Sequence, residues 1–452
     1  MKMLKANGFL LFLLAAIPIH VFSQENVAAE NAERNTEIES AEKITVERAV
    51  EQALKTHVDI QRGEIVLKQA KRENSSSWNQ VLPSVSASVS GSNKQTWKDS
   101  ETNTVSVSSG INANLSLDLG LADRIKKIKS EYEAQKTSFA AAVRSTESAV
   151  RQSFYNLLYL KEKWNSAKST LDSYKRTYEQ TQRKYSKGVA TQIDLLAAQV
   201  NYESSKPDVD SAASSYTNAL MKFIDTVGFD FPAGTQFELE GSLDTADSVK
   251  EIDHSDIEAN IQNAPEIVQL EQNLAAAKHN KKATEFSLLL PSLSLGASYT
   301  PELWTKETKS GTETDVPYWN ISAGISIPLD SWIPGSSAKN KIAALSDSVK
   351  DYEIQLSDKR KTVRTSAIEK LKNIELSKKT LEARRLNLKL AQQSYEMTEE
   401  AYSRGTKDLL TLQNSLDTLE KAQLQLKSEQ LALISNVLDL ENLLGLELGT
   451  YF

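Results

Sequence analysis

The chain has 452 residues, with only 16 Gly and 10 Pro, no Cys and a formal net charge of −7. So few Gly and Pro favour long uninterrupted elements, and the lack of Cys excludes disulfides, thiolate zinc sites, catalytic thiols and a lipidated N-terminal cysteine. Mean hydropathy is −0.42, and beyond residue 20 no apolar run approaches the ~20 residues of a transmembrane helix, which excludes a polytopic helical membrane protein.

Lys2 and Lys5 precede the apolar run from Gly8 to Ile19, and Val21-Phe22-Ser23 then places a small residue before Gln24. Charged, apolar and cleavage-site segments in that order predict a secretory signal at 1–23. Its removal takes away two Lys and no acid, so the charge falls from −7 to −9. The mature chain is exported and mildly acidic, and no basic stretch offers a surface to nucleic acid.

Internal repeats set the architecture. Leu82-Pro83-Ser84-Val85-Ser86 recurs as Leu290-Pro291-Ser292-Leu293-Ser294, Tyr185-Ser186-Lys187-Gly188 as Tyr402-Ser403-Arg404-Gly405, and Val227-Gly228 as Leu444-Gly445. The first landmark is offset by 208 and the later ones by 217, so the second half carries nine extra residues, most of them around Asp330 to Ser337. The expected organisation is a first repeat over 24–228, a linker over 229–253 with a strand-like Thr235 to Glu240, and a second repeat over 254–452. The linker is expected to join the terminal segments in a belt around the helices.

Each repeat reads as helix, hairpin, long helix, turn, helix. Ile44 to Val81 is the first helix candidate, closed by Pro83 because the residue before proline leaves the helical region. Its counterpart runs from 254 to 289, with His254 at its start and Ser255-Asp256-Ile257-Glu258 as a capping box. Between helices the period changes to two. Val85, Ala87 and Val89, then Val105, Val107 and Ile111 to Leu119, alternate with Ser, Asn and Asp in a hairpin at 82–119. Leu293 to Tyr299 and Tyr318 to Leu329 repeat the pattern in a hairpin at 290–330, with polar loops at Ser92 to Asn103 and Lys306 to Asp315.

Beyond each hairpin the period becomes 3.5. Val143, Val150, Leu157, Trp164, Leu171, Tyr178 and Tyr185 follow at steps of seven, as do Ala367, Ile374, Leu381, Leu388, Tyr395 and Tyr402. Seams of that length predict supercoiled helices packed by knobs into holes. Long helices over 121–186 and 336–403 are each matched in length by two shorter ones placed end to end, 189–227 with 44–81 and 406–444 with 254–289. Pro207 is expected to kink the first of these.

Four strands of ten to twelve residues with one apolar face suit an outer-membrane barrel. Four cannot close, and an open edge in lipid leaves backbone groups unsatisfied, so closure requires several chains. Two copies give eight strands with a filled interior, and three give twelve, enough for a lumen. Trp97, Tyr299, Trp304, Tyr318 and Trp319 fall near strand ends, where aromatic girdles belong.

The signal segment, the duplicated helix-hairpin-helix plan, the Leu-Pro-Ser entry to each hairpin and the Tyr-x-x-Gly turn in each coiled coil together resemble the TolC family of outer membrane efflux proteins, over about Ile44 to Leu448. That resemblance implies a mostly α fold in which duplicated coiled coils form a trimeric α-barrel across the periplasm, with four strands per chain contributing to a twelve-stranded barrel in the outer membrane of a diderm bacterium. It implies as partners a homotrimer, a periplasmic adaptor and an inner-membrane transporter, no cofactor and no catalysis. It places the adaptor-docking tips at Gly188, Val189, Ala190, Thr191, Gly405 and Thr406, and a periplasmic gate at Asp194, Tyr402 and Lys407. The family type example carries two Asp at a narrow ring where this chain has Thr411 and Asn414, so the expected constriction lining is Asp408, Thr411 and Asn414, without the full cation-sensitive ring.

An enzyme finds no support. The mature histidines, His57, His254 and His279, have no metal spacing, and no nucleophile motif or phosphate loop is present. Met221 and Met397 alone supply soft ligands, which disfavours copper or silver export. The competing reading is a secreted or periplasmic coiled-coil structural or adhesive protein without a pore, which accounts for the heptads and leaves the four strands unexplained; it would stay soluble without detergent.

Overall fold

The computed structural model describes residues 42–95, 103–230, 237–301, 303–307, 311–315 and 317–452. The expected signal at 1–23, Trp97 and Thr235 lie outside the described residues. There are two compact units. The smaller is a parallel pair of strands, β1 (Glu42–Ile44) and β4 (Phe237–Leu239), registered from Glu42 opposite Phe237 to Ile44 opposite Leu239. All other described elements belong to the larger unit.

The larger unit is mostly helical: α1 (Val46–Thr56), α2 (Val58–Ser75), α3 (Leu121–Ser186), α4 (Gln192–Val227), α5 (His254–Ile261), α6 (Pro265–Leu289), α7 (Ser337–Ser403) and α8 (Leu409–Leu444). The duplication is visible in the lengths. The long helices α3 and α7 have 66 and 67 residues, and α4 and α8 have 36 each. Heptad residues make the core where the seams close: Val150 and Leu157 on α3, and Ala367, Ile374 and Leu381 on α7, are buried. Helix α4 runs through Pro207 without interruption.

Two helices expected to be continuous are broken. The segment 44–81 divides at His57, whose extended backbone ends α1 while its side chain accepts from the Asp59 amide to start α2; a 3₁₀ turn over Ser77–Val81 then leads to the sheet. The cause is tertiary. The last turn of α4 docks there, with Thr56 Oγ1 donating to the Val227 carbonyl at 2.6 Å and Gln52 Nε2 to the Gly228 carbonyl at 3.1 Å. In the second half the break falls between Ile261 and Pro265, and Pro265 opens α6 against Gly445, the residue that ends α8. The end of α4 therefore meets the junction of α1 and α2, and the end of α8 meets the start of α6. The cap of α5 also differs from the expected box: Asp253 is the N-cap, and Ser255 Oγ donates to its carboxylate at 2.7 Å.

The sheet holds β2 (Ser84–Gln95), β3 (Asn103–Leu117), β5 (Ser292–Thr300), β6 (Leu303–Glu307), β7 (Gly311–Asp315) and β8 (Tyr318–Ser326). β3 pairs with β2 on one side and with β5 and then β6 on the other, while β8 pairs with β5 and β7 with β6. Within the stretch expected as a polar loop, Lys306 to Asp315, the described residues 306–307 and 311–315 thus continue the hairpin as the end of β6 and as β7. The interruptions fall at Pro301 and Pro317, where proline has no N–H for the ladder. Four strand lines result, and β2 and β8 occupy the two outer ones. Register aligns the apolar face: Val85 stands opposite Ala113, Leu115 opposite Leu295, and Tyr299 opposite Trp319 with ring centroids 4.6 Å apart. Serines share the other face, and Ser90 and Ser92 pair with Ser108 and Ser106 at 2.8 and 2.7 Å.

The extra length of the second half lies where it was expected. Residues 118–120 join β3 to α3, whereas 327–336, with a 3₁₀ turn over Leu329–Trp332, join β8 to α7.

Candidate functional site: the paired helix tips

Each Tyr-x-x-Gly motif is the end of a long helix. Gly188 has φ +71° and Gly405 φ +78°, the left-handed region that glycine enters without steric cost. In the first turn the Val189 amide donates to the Lys184 carbonyl and the Gly188 amide to the Tyr185 carbonyl, both at 2.9 Å. The Thr406 and Gly405 amides do the same to Ala401 and Tyr402 at 3.0 Å. This 6→1 with 5→2 pattern closes the last helical carbonyls and fixes tyrosine three residues before glycine.

The helices leaving the turns are capped at matching positions by residues in opposite order. Thr191 caps α4: its hydroxyl accepts from the Asp194 amide at 3.1 Å, and the Asp194 carboxylate accepts from the Thr191 amide at 3.0 Å. Asp408 caps α8, its carboxylate accepting from the Thr411 amide at 2.7 Å. Hydrogen bonds from Thr411 hold the Asp408 carboxyl below the usual carboxylate range. Val189, Thr191, Thr406 and Lys407 are exposed and Ala190 is half-buried. Asn414 is exposed one turn further along α8, its carbonyl accepting from Thr418.

The two turns are joined through Tyr402. Its side chain is buried, and its phenol lies 2.7 Å from Thr181 Oγ1 on α3. Lys184, also on α3, donates Nζ to the Tyr402 carbonyl at 2.6 Å and sits 3.8 Å from the centre of its ring. Burial raises the Tyr402 phenol above its usual value, and the Asp194 charge pushes the same way. Burial lowers the Lys184 ammonium. Around this contact Tyr395, Leu409, Leu412, Leu416 and Ala198 form one apolar core shared by the helices. Further along, Tyr174 Oη donates to Asp417 Oδ1 at 2.5 Å, and desolvation with that carboxylate raises the phenol's pKa.

Within one chain, then, Tyr402 meets Thr181 and Lys184, while Asp194 is engaged by Thr191 and Lys407 is exposed. Sequence reasoning passed over Thr181 and Lys184. A signal was available: Thr170, Ser173, Thr177 and Thr181 are buried on α3 at steps of three and four, a seam written in small polar residues.

A model of the outer membrane efflux protein family matches residues 49–228 and again 257–446, one match for each repeat. The chain belongs to the outer membrane efflux protein family. It is a TolC-family channel protein and not an enzyme. The chain is 25% identical over 386 residues to the probable efflux pump outer membrane protein TtgC of Pseudomonas putida, covering 81% of this chain and 75% of that protein. It is 23% identical over 298 residues to toxin and drug export protein A of Aggregatibacter actinomycetemcomitans, covering 63% and 61%. Among solved structures, the CmeC outer membrane channel of Campylobacter jejuni has a TM-score of 0.74 at 18% identity, covering 88% of this chain and 85% of that one. The open state of the Neisseria gonorrhoeae MtrE channel has a TM-score of 0.71 at 19% identity, with 89% of both chains covered. These likenesses show the shared fold.

Proposed function

We propose that three copies of this chain form a passive exit duct, the outer-membrane component of a tripartite efflux pump or type I secretion system. Three four-line sheets make a twelve-stranded barrel in the outer membrane, and the helices continue it across the periplasm. The carrying observation is the sheet's pair of open edges. Among the described residues β2 and β8 have no outer neighbour, and the apolar face they bound is bare, with Val89 78% and Ile321 84% exposed. Unpaired backbone groups at such edges cost several kcal/mol each in hydrocarbon, which pairing between copies removes.

In this duct the Gly188–Thr191 and Gly405–Thr406 turns dock a periplasmic adaptor, which connects to an inner-membrane transporter. Asp194, Tyr402 and Lys407 hold the tips closed, and Asp408, Thr411 and Asn414 line the approach. Cargo is small molecules or proteins, chosen by the partners, since the duct performs no chemistry. The test is mass measurement in detergent followed by planar-bilayer conductance of the mature chain. A trimer that conducts ions is expected; a monomer or dimer, or a folded sample without conductance, overturns the reading.

A further inference from the structure

Charge is unevenly divided between the two ends of the helices. Helices α2 and α6 end at the sheet, and α3 and α7 begin there. Over the ten residues nearest the sheet on each of these four, 66–75, 121–130, 280–289 and 337–346, there are eleven Lys and Arg against three Asp and Glu. Over the ten nearest the tips on α3, α4, α7 and α8, at 177–186, 192–201, 394–403 and 409–418, there are two against six. A chain of net charge −7 thus carries a basic collar at its sheet end. Much of the collar is unpaired. The side chains of Lys71, Arg72, Lys126, Lys129, Lys339 and Lys341 are exposed and make no ion pair with a described residue, whereas Lys68 and Lys282 pair with Glu64 and Asp123 at 2.8 and 3.7 Å. Helix dipoles favour Lys71 and Arg72 near the C-terminal end of α2, but they oppose Lys339 in the first turn of α7 and give no support to Lys126, Lys129 and Lys341.

We infer that this collar is a docking surface for the anionic head groups of a phospholipid leaflet, the one on the helical side of the membrane that the sheet crosses. The inference rests on the barrel proposed above and adds a lipid preference to it. Two observations favour a leaflet as the occupant. First, an apolar layer lies between collar and sheet. Trp78, Leu119, Leu329, Trp332 and Ile333 stand in the connections from helix to strand, and each is more than half exposed. The last three belong to the longer connection of the second half. Second, the layers follow one another in the order of a leaflet. The bare strand face with Val89 and Ile321 comes first, then exposed Trp and Leu, then Lys and Arg within about 15 Å of the helix ends. Hydrocarbon, the interfacial zone where Trp settles, and anionic phosphates that attract Lys and Arg are met in the same sequence. A soluble polyanion would match the collar and leave the apolar layer bare, so continuity with the strand face selects the lipid.

The test titrates the detergent-extracted full chain with fluorescent phosphatidylglycerol or phosphatidylcholine of the same acyl chains. Phosphatidylglycerol is expected to bind at least fivefold tighter in about 0.1 M salt, and to lose most of that preference in about 1 M salt, where exposed charges are screened beyond about 3 Å. Lys126→Gln, Lys129→Gln, Lys339→Gln and Lys341→Gln combined should abolish the preference, and Arg at the same four positions should keep it. Circular dichroism and mass measurement check that both variants fold and assemble. Trp332→Ser should weaken both lipids alike, since it removes apolar contact and no charge. Equal binding of the two lipids by the folded chain overturns the collar and leaves the duct standing. A preference that survives the four Gln changes, with a shift in cation-to-anion permeability in planar bilayers instead, places these lysines in the lumen and overturns it. Displacement of the lipid by an equal concentration of inorganic phosphate assigns the site to a free anion, and loss of the trimer in the Gln variant assigns it to contact between copies; either result overturns it. A chain that prefers phosphatidylglycerol yet stays monomeric or fails to conduct overturns the duct alone.

Discussion

Thr181 and Tyr402 share a buried hydrogen bond of 2.7 Å between the ends of the two long helices. Thr181 has a single hydroxyl proton, and it goes to the Thr177 carbonyl at 2.8 Å. The phenol is therefore the donor, and the threonine oxygen accepts. With the Lys184 and Tyr174 bonds, this hydrogen bond ties the first coiled coil to the second within each chain.

Removing the acceptor should hurt more than removing the donor. Thr181→Val strands a buried phenol, at a cost of about 1 to 3 kcal/mol, whereas Tyr402→Phe forfeits about 0.5 to 1.5 kcal/mol because Thr181 keeps its bond to Thr177. The double variant should lie close to Tyr402→Phe alone. Thermal unfolding followed by circular dichroism measures the coupling, and strictly additive losses would show that the hydroxyls do not depend on each other.

Glu441 ties the C-terminal segment to α8. Its carboxylate is fully buried and accepts from the Gly449 and Tyr451 amides, both at 2.8 Å. The segment is bonded in turn to the linker, where the Lys250 amide donates to the Tyr451 carbonyl at 2.9 Å. Burial raises the Glu441 carboxyl above its usual value, against the lowering effect of those amides. A raised folded-state value means the proton is held more tightly in the folded chain. The group's favourable contribution is complete below the ordinary carboxyl range and is lost as pH climbs through the raised value. Protection of residues 446–452 from hydrogen exchange, corrected for the intrinsic pH dependence, should therefore fall between mildly acidic and neutral pH. Glu441→Gln should flatten that dependence, and an unchanged slope in the variant would assign it to another group.

The turns should tolerate space and reject shape. A Cβ at Gly188 or Gly405 would meet nothing within 4 Å, yet the left-handed backbone penalises any other residue by about 1 to 2 kcal/mol. Gly405→Ala should thus loosen the tip without a clash, detected as faster proteolysis between α7 and α8. Bulky replacement of Val189 or Thr406 leaves the backbone in place, and it should abolish export while trimer mass and membrane insertion stay unchanged. Adaptor crosslinks confined to strands β2 and β3 would reverse the polarity assigned to the chain.

The sequence carried the periodic elements well because their signal is local. Steps of seven and the tyrosine before each turn located α3 and α7 almost to the residue, and alternation located β2, β3, β5 and β8. What escaped was tertiary. No proline or glycine announces the break at His57; it exists because the end of α4 docks on Thr56 and Gln52. The β6–β7 extension escaped because a polar ladder beyond the apolar band reads as a loop, although Pro301 and Pro317 mark its limits. At the tips, Tyr402 stood out as a seam residue, while its partner Thr181 has the composition of a surface position and becomes recognisable only by its spacing.

The gate is the most demanding prediction, because Asp194 has two tasks in it. Its carboxylate completes the cap of α4 with Thr191, and the proposed latch also uses it opposite Tyr402 and Lys407. In the latch the Tyr402 phenol turns its one proton from Thr181 to the Asp194 carboxylate, exchanging a neutral hydrogen bond of about 0.5 to 1.5 kcal/mol for a charge-assisted one of about 1.5 to 3 kcal/mol, and a solvated Asp-Lys pair adds about 0 to 1 kcal/mol. A latch of that strength holds a two-state element closed and yields to an adaptor that binds the open form better. Asp194→Ala with Tyr402→Phe should therefore raise single-channel conductance in planar bilayers, and by more than replacing Lys407 alone. Thr191→Ala separates the two tasks, since it weakens the cap by about 0.5 to 2 kcal/mol while leaving the carboxylate in place. If Thr191→Ala opens the channel as far as the double variant does, fraying of α4 accounts for the effect. If neither changes conductance, Asp194 is a helix cap and Tyr402 a seam residue bonded to Thr181, and the closing contact lies elsewhere.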